Sequence, residues 1–328
     1  MKVVIIFSSI LFSVLFSLIT FYSILAYASE TQVAKEIAPK SGFYIPAGDV
    51  EIFTQTAGNP VNPPVLMIHG MGSWSELWRG TMEELANNGY YAIAIDLPPF
   101  GFSDRPDPNR LNSSDQAKRI SAVIQSLNLN KVHLVGHSFG GGATLDTALL
   151  IPEKIRSIHL VDVAISIDRE ESQQTKEGIL NWFFDLIWIR NRIFNATITN
   201  PHLTSILFSL FVKDSQCVTN EKIQIIQQPL KIKDTTNYLA NWLKLFIFKP
   251  NDQLAVDLKL KKNELKMPIF FIWGEADTVT PLKRGIYLQS QFPYSKLLTM
   301  PGIGHIPQLE DETKFNAILI RNLNDVHP

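Results

Sequence analysis

The 328-residue chain holds one cysteine, Cys217, which excludes an intramolecular disulfide and a cysteine-built zinc site. Charged residues are sparse, at 19% against the ~25% common in globular domains. Neither sign is in excess: 30 Lys+Arg stand against 31 Asp+Glu. No basic stripe gathers the cations, so nucleic acid is excluded as a broadly electrostatic partner. The sequence has no H-E-x-x-H, Walker A or dinucleotide fingerprint, so no metal, nucleotide or other cofactor is expected. Internal repeats and low-complexity tracts are also missing. Apolar residues, at 45%, suffice for a large core and exclude intrinsic disorder.

The chain does have a long apolar run. Val3 to Leu25 follows Lys2 without a single charge, long enough for the ~20 residues that span a bilayer. Ala26-Tyr27-Ala28 then offers the small-x-small pattern of a signal-peptidase site. Residues 1–28 are therefore a membrane anchor or a signal peptide cleaved after Ala28. The run exceeds the roughly 7–15 apolar residues of a cleaved signal, which favours the anchor. With Lys2 held in the cytoplasm, the body lies outside it in either case. Residues 29–41 read as a polar connector.

Beyond the connector, short apolar runs alternate with helix-like segments. A hairpin over Phe43–Ile45 and Val50–Gln55 precedes predicted strands Pro64–His69, Tyr90–Ile95, Val132–Gly136, Ile155–Val161, Ile269–Trp273 and Lys296–Met300. Predicted helices are Trp74–Asn88, Ser114–Asn128 (with a capping box from Ser113 to Gln116), Gly141–Ile151, Pro281–Gln291 and Thr313–Leu323. The alternation implies an α/β fold, with a mostly parallel sheet and helices on both faces. Residues 42–164 and 266–328 form this core. Residues 165–265 break the pattern with helical periodicity and much apolar bulk, including Trp182-Phe183-Phe184, Ile187, Trp188, Leu243, Leu245, Phe246, Ile247 and Phe248. They read as a helical insertion whose apolar residues pack on the sheet, line an acyl pocket or meet lipid.

The chemistry gathers at strand ends. Gly136-His137-Ser138-Phe139-Gly140 lies between a predicted strand and helix, where a nucleophilic serine on a tight turn belongs. Flanking glycines are needed because a Cβ there would strike the neighbouring strand or helix. Ser138 needs a base. His137 sits within the turn, His133 and His159 within strands, His202 in the insertion, His327 at the terminus and His69 at a strand end. His305, in the glycine-rich loop after the last strand, is the candidate general base. Asp277, on the loop after Ile269–Trp273, is the candidate for orienting the imidazole, with Asp162 and Glu275 as rivals. The backbone N–H groups of Phe139 and Met71, the latter in His69-Gly70-Met71-Gly72, are the candidate oxyanion donors.

Those motifs, together with Asp96-Leu97-Pro98-Pro99-Phe100-Gly101-Phe102-Ser103, Trp273-Gly274-Glu275-Ala276-Asp277 and Gly304-His305-Ile306-Pro307-Gln308-Leu309-Glu310, resemble the α/β-hydrolase superfamily. The resemblance covers roughly residues 42–325 apart from most of the insertion. It is greatest to esterase, lipase and carbon–carbon-bond hydrolase members. It implies the α/β-hydrolase fold, with a helical cap inserted before the strand carrying the acid. The implied triad is Ser138, Asp277 and His305, with Met71 and Phe139 as oxyanion donors. Serine at the nucleophile position departs from the aspartate of haloalkane dehalogenases and epoxide hydrolases. Pro99 stands where relatives commonly have glycine. The expected activity is cleavage of a small, apolar ester-type acyl substrate through an acyl-enzyme. Carbon–carbon-bond hydrolysis of a ring-cleavage product and perhydrolysis are the alternatives on the same triad. A non-catalytic binding protein on this fold is the remaining reading.

Overall fold

The computed structural model describes residues 2–165, 186–248 and 262–326. Its sheet has eight strands: β1 Gly42–Ala47, β2 Val50–Ala57, β3 Pro64–Ile68, β4 Tyr91–Ile95, β5 Val132–His137, β6 Ile155–Val161, β7 Ile269–Gly274 and β8 Lys296–Met300. Their spatial order is β1-β2-β4-β3-β5-β6-β7-β8. β1 and β2 pair antiparallel, as do β2 and β4, while every pairing from β4 to β8 is parallel. Strands β4 and β5 are buried along their whole lengths, as expected of parallel strands covered on both faces.

Apart from single turns at Ala34–Ile37 and Pro307–Glu310, the α-helices among the described residues are α1 Lys2–Ser29, α2 Arg79–Asn87, α3 Ser113–Ser126, α4 Gly140–Leu150, α5 Ile187–Ala196, α6 Thr204–Ser209, α7 Asn220–Gln227, α8 Thr235–Phe248, α9 Leu282–Gln291 and α10 Glu312–Val326. Two apolar clusters sandwich the sheet. One joins Ile120, Val123 and Leu145 to β5, β6 and β7; the other joins Trp78, Met82, Phe315 and Leu319 to the opposite face. The start of α3 differs from the expected capping box. Asn112 is the cap, accepting from the Asp115 N–H at 2.9 Å. Ser113 instead donates to Asp146, and Gln116 turns inward to donate to the Pro98 carbonyl. Burial of Gln116 in the loop after β4 thus displaces the local cap.

Between β6 and β7 the described residues contain α5 to α8 and no strand of the sheet. Trp182, Phe183 and Phe184 lie outside the described residues. Residues 29–41, read as a polar connector, are mostly exposed or half-buried but make two contacts with the body. Glu30 is buried, and Ala34, Ile37 and Ala38 pack against the cluster of Phe53, Trp74, Phe102 and Ile232. α1 has 28 residues and so runs about 42 Å at 1.5 Å per residue. Its exposed side chains include Phe7, Ile10, Leu11, Val14, Leu15, Leu18 and Phe21. Counting only the described residues, no helix is long and apolar enough to cross a membrane; several side chains among residues 2–12 fall outside that count.

Candidate active site

The strand order fixes the site. β3, β5, β6, β7 and β8 are consecutive in the sheet and parallel, so the loops at their carboxyl ends open side by side. The loop after β5 carries Ser138 in left-handed backbone geometry, at φ +48°. This conformation is uncommon outside glycine and asparagine and marks a strained turn held by its surroundings. The flanking glycines are required by close approach. A Cβ on Gly136 would lie 2.2 Å from Thr144 Oγ1, and one on Gly140 2.6 Å from the His69 carbonyl oxygen. α4 begins directly after the turn, at Gly140, and points its positive end toward Ser138.

The geometry joins three of the candidates. The Ser138 hydroxyl donates to His305 Nε2 at 2.8 Å, and His305 Nδ1–H donates to Asp277 Oδ2 at 2.7 Å. All three are buried. Asp277 Oδ1 also accepts the Val279 and Thr280 N–H groups at 2.7 and 3.0 Å, and Oδ2 accepts the Thr280 hydroxyl at 2.6 Å. Burial alone would raise the Asp277 pKa. The His305 contact and the Thr280 hydrogen bonds outweigh it and leave the carboxyl below its ordinary range.

The rivals are elsewhere. Asp162 accepts the Gly274 N–H at 2.9 Å, while His305 Nδ1 bonds Asp277; burial first, then the neighbouring Asp277 charge, push the Asp162 pKa well upward. Glu275 accepts from Thr299 at 2.7 Å at the exposed edge. His137 packs beside His305. Its Nε2 hydrogen-bonds to the His305 carbonyl at 2.8 Å, and its ring lies 5.2 Å from that of His305. His69 accepts the Leu97 N–H at Nε2 and donates from Nδ1 to the Gly70 carbonyl. Desolvation lowers the His69 pKa to about 4 and that of His137 to about 3, so both stay neutral. His133 and His159 are buried in the sheet, and His327 is outside the described residues.

Gly70 runs past the serine turn: a Cβ there would lie 3.1 Å from Ser138 Cβ. Met71 follows with an exposed side chain, and Phe139 directly follows Ser138 at the start of α4. The Phe139 ring meets Phe100, Trp242 and Phe246 edge-on at 5.9, 5.5 and 6.0 Å, while Trp242 stacks on Phe246 at 5.2 Å. An aromatic wall from α8 therefore borders the Ser138 turn. The insertion also grips the base loop: the His305 N–H donates to the Phe211 carbonyl at 2.8 Å. Glu310 accepts from the Gly304 and Lys213 N–H groups at 2.9 and 2.7 Å.

Sequence reasoning overlooked Thr280, whose hydroxyl touches Asp277 and lies 3.3 Å from His305 Nδ1. Its place three residues after a loop aspartate was the available signal. It also overlooked Asp96, whose carboxylate accepts the Ser75 and Phe102 N–H groups, both at 2.7 Å. Those bonds shape the loop that presents Phe100. Gly101 is obligatory there, at φ +67° with its Cβ position 2.1 Å from Asp96 Oδ2.

Comparison with known proteins agrees with this architecture. The family model described as the α/β hydrolase fold matches residues 63–312. A 2-hydroxy-6-oxononadienedioate/2-hydroxy-6-oxononatrienedioate hydrolase from Burkholderia vietnamiensis is 26% identical over 268 residues, covering 80% of this chain and 87% of the relative. Among solved structures, a bacterial membrane phospholipase A superposes with a TM-score of 0.67 at 21% identity, covering 99% of both chains. An esterase from Exiguobacterium antarcticum also gives 0.67 at 21%, covering 86% of this chain and 99% of its own. With the family model spanning most of the chain and the eight-stranded sheet in place, this chain belongs to the α/β hydrolase fold family.

Proposed function

We propose that the chain is a membrane-anchored serine hydrolase of apolar acyl esters. In the reaction, Ser138 Oγ attacks the acyl carbonyl as its proton passes to His305 Nε2. The Met71 and Phe139 N–H groups receive the developing oxyanion. His305 then gives that proton to the departing alcohol, leaving an acyl-enzyme. Water repeats the sequence, with His305 as base, and releases the acid. Asp277 holds the Nδ1–H tautomer and stabilises the imidazolium.

The observation that carries the ester reading is the aromatic wall of Phe139, Phe100, Trp242 and Phe246 beside Ser138. Such surroundings suit an acyl chain better than a dianion. A second reading, hydrolysis of a carbon–carbon bond, is supported by the similarity to the 2-hydroxy-6-oxononadienedioate/2-hydroxy-6-oxononatrienedioate hydrolase of Burkholderia vietnamiensis; a dioate substrate needs cationic partners. The test is a p-nitrophenyl ester series from acetate to octanoate beside a ring-cleavage dienedioate. Each methylene buried in the transition state contributes up to ~0.8 kcal/mol. Efficiency should therefore rise up to about fourfold per methylene. A flat ester series with rapid dienedioate turnover would favour the second reading.

Anchoring is supported by the uncharged run from Val3 to Leu25 and by the apolar surface beside it. α1 packs on α5, whose Ile187, Trp188 and Ile193 are exposed, with Arg192 over the Trp188 ring at 4.3 Å. A tryptophan–arginine pair beside a long apolar helix suits the lipid–water boundary. Retention of the full chain in membranes after alkaline carbonate washing is expected; release of a chain starting at Ser29 would refute it.

A further inference from the structure

We propose that Glu30 is a positioning residue that ties the N-terminal helix to the aromatic wall beside Ser138. The inference rests on the hydrolase reading for its kinetic readout only.

Glu30 directly follows α1 and is 7% exposed. Both its carboxylate oxygens lie 3.2 Å from the Thr236 N–H, and the Thr236 hydroxyl also hydrogen-bonds to it. Thr236 is in the first turn of α8, where N–H groups lack partners within the helix. Glu30 thus caps α8 from 206 residues away, with its charge at the helix's positive end. A second tie lies beside it: Gln32 N–H donates to the Lys231 carbonyl at 3.0 Å, and Lys233 N–H donates to the Gln32 carbonyl at 2.9 Å. The segment is anchored on its other side too, since Ser23 and Ala26 of α1 are buried and α1 packs on α5.

The same rigid helix carries the wall. Trp242 lies six residues beyond Thr236, against Phe100 and Phe139 at 5.0 and 5.5 Å, and Phe246 follows one turn later. A shift at the capped end of α8 must be transmitted to Trp242 and Phe246. A cut after Ala28 would leave Glu30 as the second residue of a loose terminus and remove Ser23 and Ala26 from their seats. The tie therefore needs α1 to stay attached, and movement of the anchor becomes movement of the substrate wall.

The test uses the full-length protein in detergent micelles, with Glu30→Ala, Glu30→Gln and Thr236→Val. In Glu30→Ala, amide exchange in Thr235–Phe248 should rise roughly two- to thirtyfold, the change that loss of a helix cap produces, with β5 unchanged. KM for the octanoyl ester should rise several-fold while acetyl turnover stays near wild type. Glu30→Gln, which keeps an acceptor for the Thr236 N–H, should restore much of both. Thr236→Val should shift exchange in the same direction as Glu30→Ala. Unchanged exchange in α8, or equal loss on both esters, would overturn the proposal. If the wild type hydrolyses no ester, the ester reading fails, and the exchange comparison alone decides the tie.

Discussion

Replacing Asp277 by asparagine tests the triad more sharply than removing it, because the surroundings dictate how the amide must sit. Oδ1 of Asp277 accepts two backbone N–H groups, from Val279 at 2.7 Å and Thr280 at 3.0 Å. Only the amide oxygen can take that place. The NH2 group is then forced into the Oδ2 position, facing His305 Nδ1, which is 2.7 Å away in the native site. A donor there requires Nδ1 to accept, so the ring proton moves to Nε2. That nitrogen can no longer take the proton of Ser138, 2.8 Å away. The fold should survive, since the volume is unchanged. By analogy with the corresponding substitution in a protease triad, kcat should fall by ~10⁴, about 5.4 kcal/mol of barrier. Asp162→Asn is the matched control. Its carboxyl bonds the Gly274 backbone and not His305, and burial with the Asp277 charge pushes its pKa upward, so activity should stay within several-fold of wild type. Single-turnover ester hydrolysis at neutral pH measures both. The assignment fails if Asp277→Asn keeps a tenth of the activity while Asp162→Asn loses it.

Ser138→Ala and His305→Ala should each remove nearly all turnover, and the double variant should be little worse, since the triad acts as a unit; a fluorophosphonate probe should label the wild type and not Ser138→Ala. Trp242→Ala should lower efficiency on octanoate far more than on acetate, read as the ratio of the two kcat/KM values. Acid lability should also trace to buried imidazoles. Desolvation lowers the pKa of His159 to about 3, so in the window from about 6.5 down to about 3 the unfolded chain binds a proton there that the native state does not. Stability from this group is therefore complete above pH 6.5 and is lost as pH falls. Asp96, raised to about 6 by burial, works in the opposite direction, binding its proton more readily when folded. The two oppose each other in the wild type, so the comparison must be made by variant. In urea unfolding from pH 7 to 4, His159→Phe should flatten the slope by up to about 1.4 kcal/mol per pH unit, and an unchanged slope would refute the assignment.

The α/β pattern was legible because each parallel strand is a short apolar run bounded by turn residues. β6 and β8 have the bounds read from sequence, and the other parallel strands differ by a residue at one end. The cap of α3 was misread because a local pattern, Ser113 to Gln116, competes with tertiary demand. Gln116 is worth more bonding the Pro98 carbonyl in the interior than closing a box in solvent. The role of Glu30 within the connector was illegible for a related reason: its partner stands 206 residues away, where local sequence cannot display it.

The site was legible to the degree that backbone geometry dictates residue type. Glycines packed against Thr144, Ile68 and His69 leave few ways to write the turn around Ser138, so that motif speaks for itself. Asp277 and Asp162 look alike in sequence, each just beyond a strand. What separates them is pairing across the fold. Asp162 lies at the end of β6, with its carboxyl turned to the Gly274 backbone; Asp277 lies beyond β7, on the loop next to the one carrying His305. The Asp277 charge also adds to burial in pushing the Asp162 pKa upward, so the two carboxyls differ in how readily they take a proton. Discrimination between them thus depends on strand order and on proton placement, neither of which a linear motif records. The aromatic wall is less legible still. Phe100, Phe139 and Trp242 are more than a hundred residues apart at the extremes and share no pattern, and they meet only because α8 is laid across the end of the sheet.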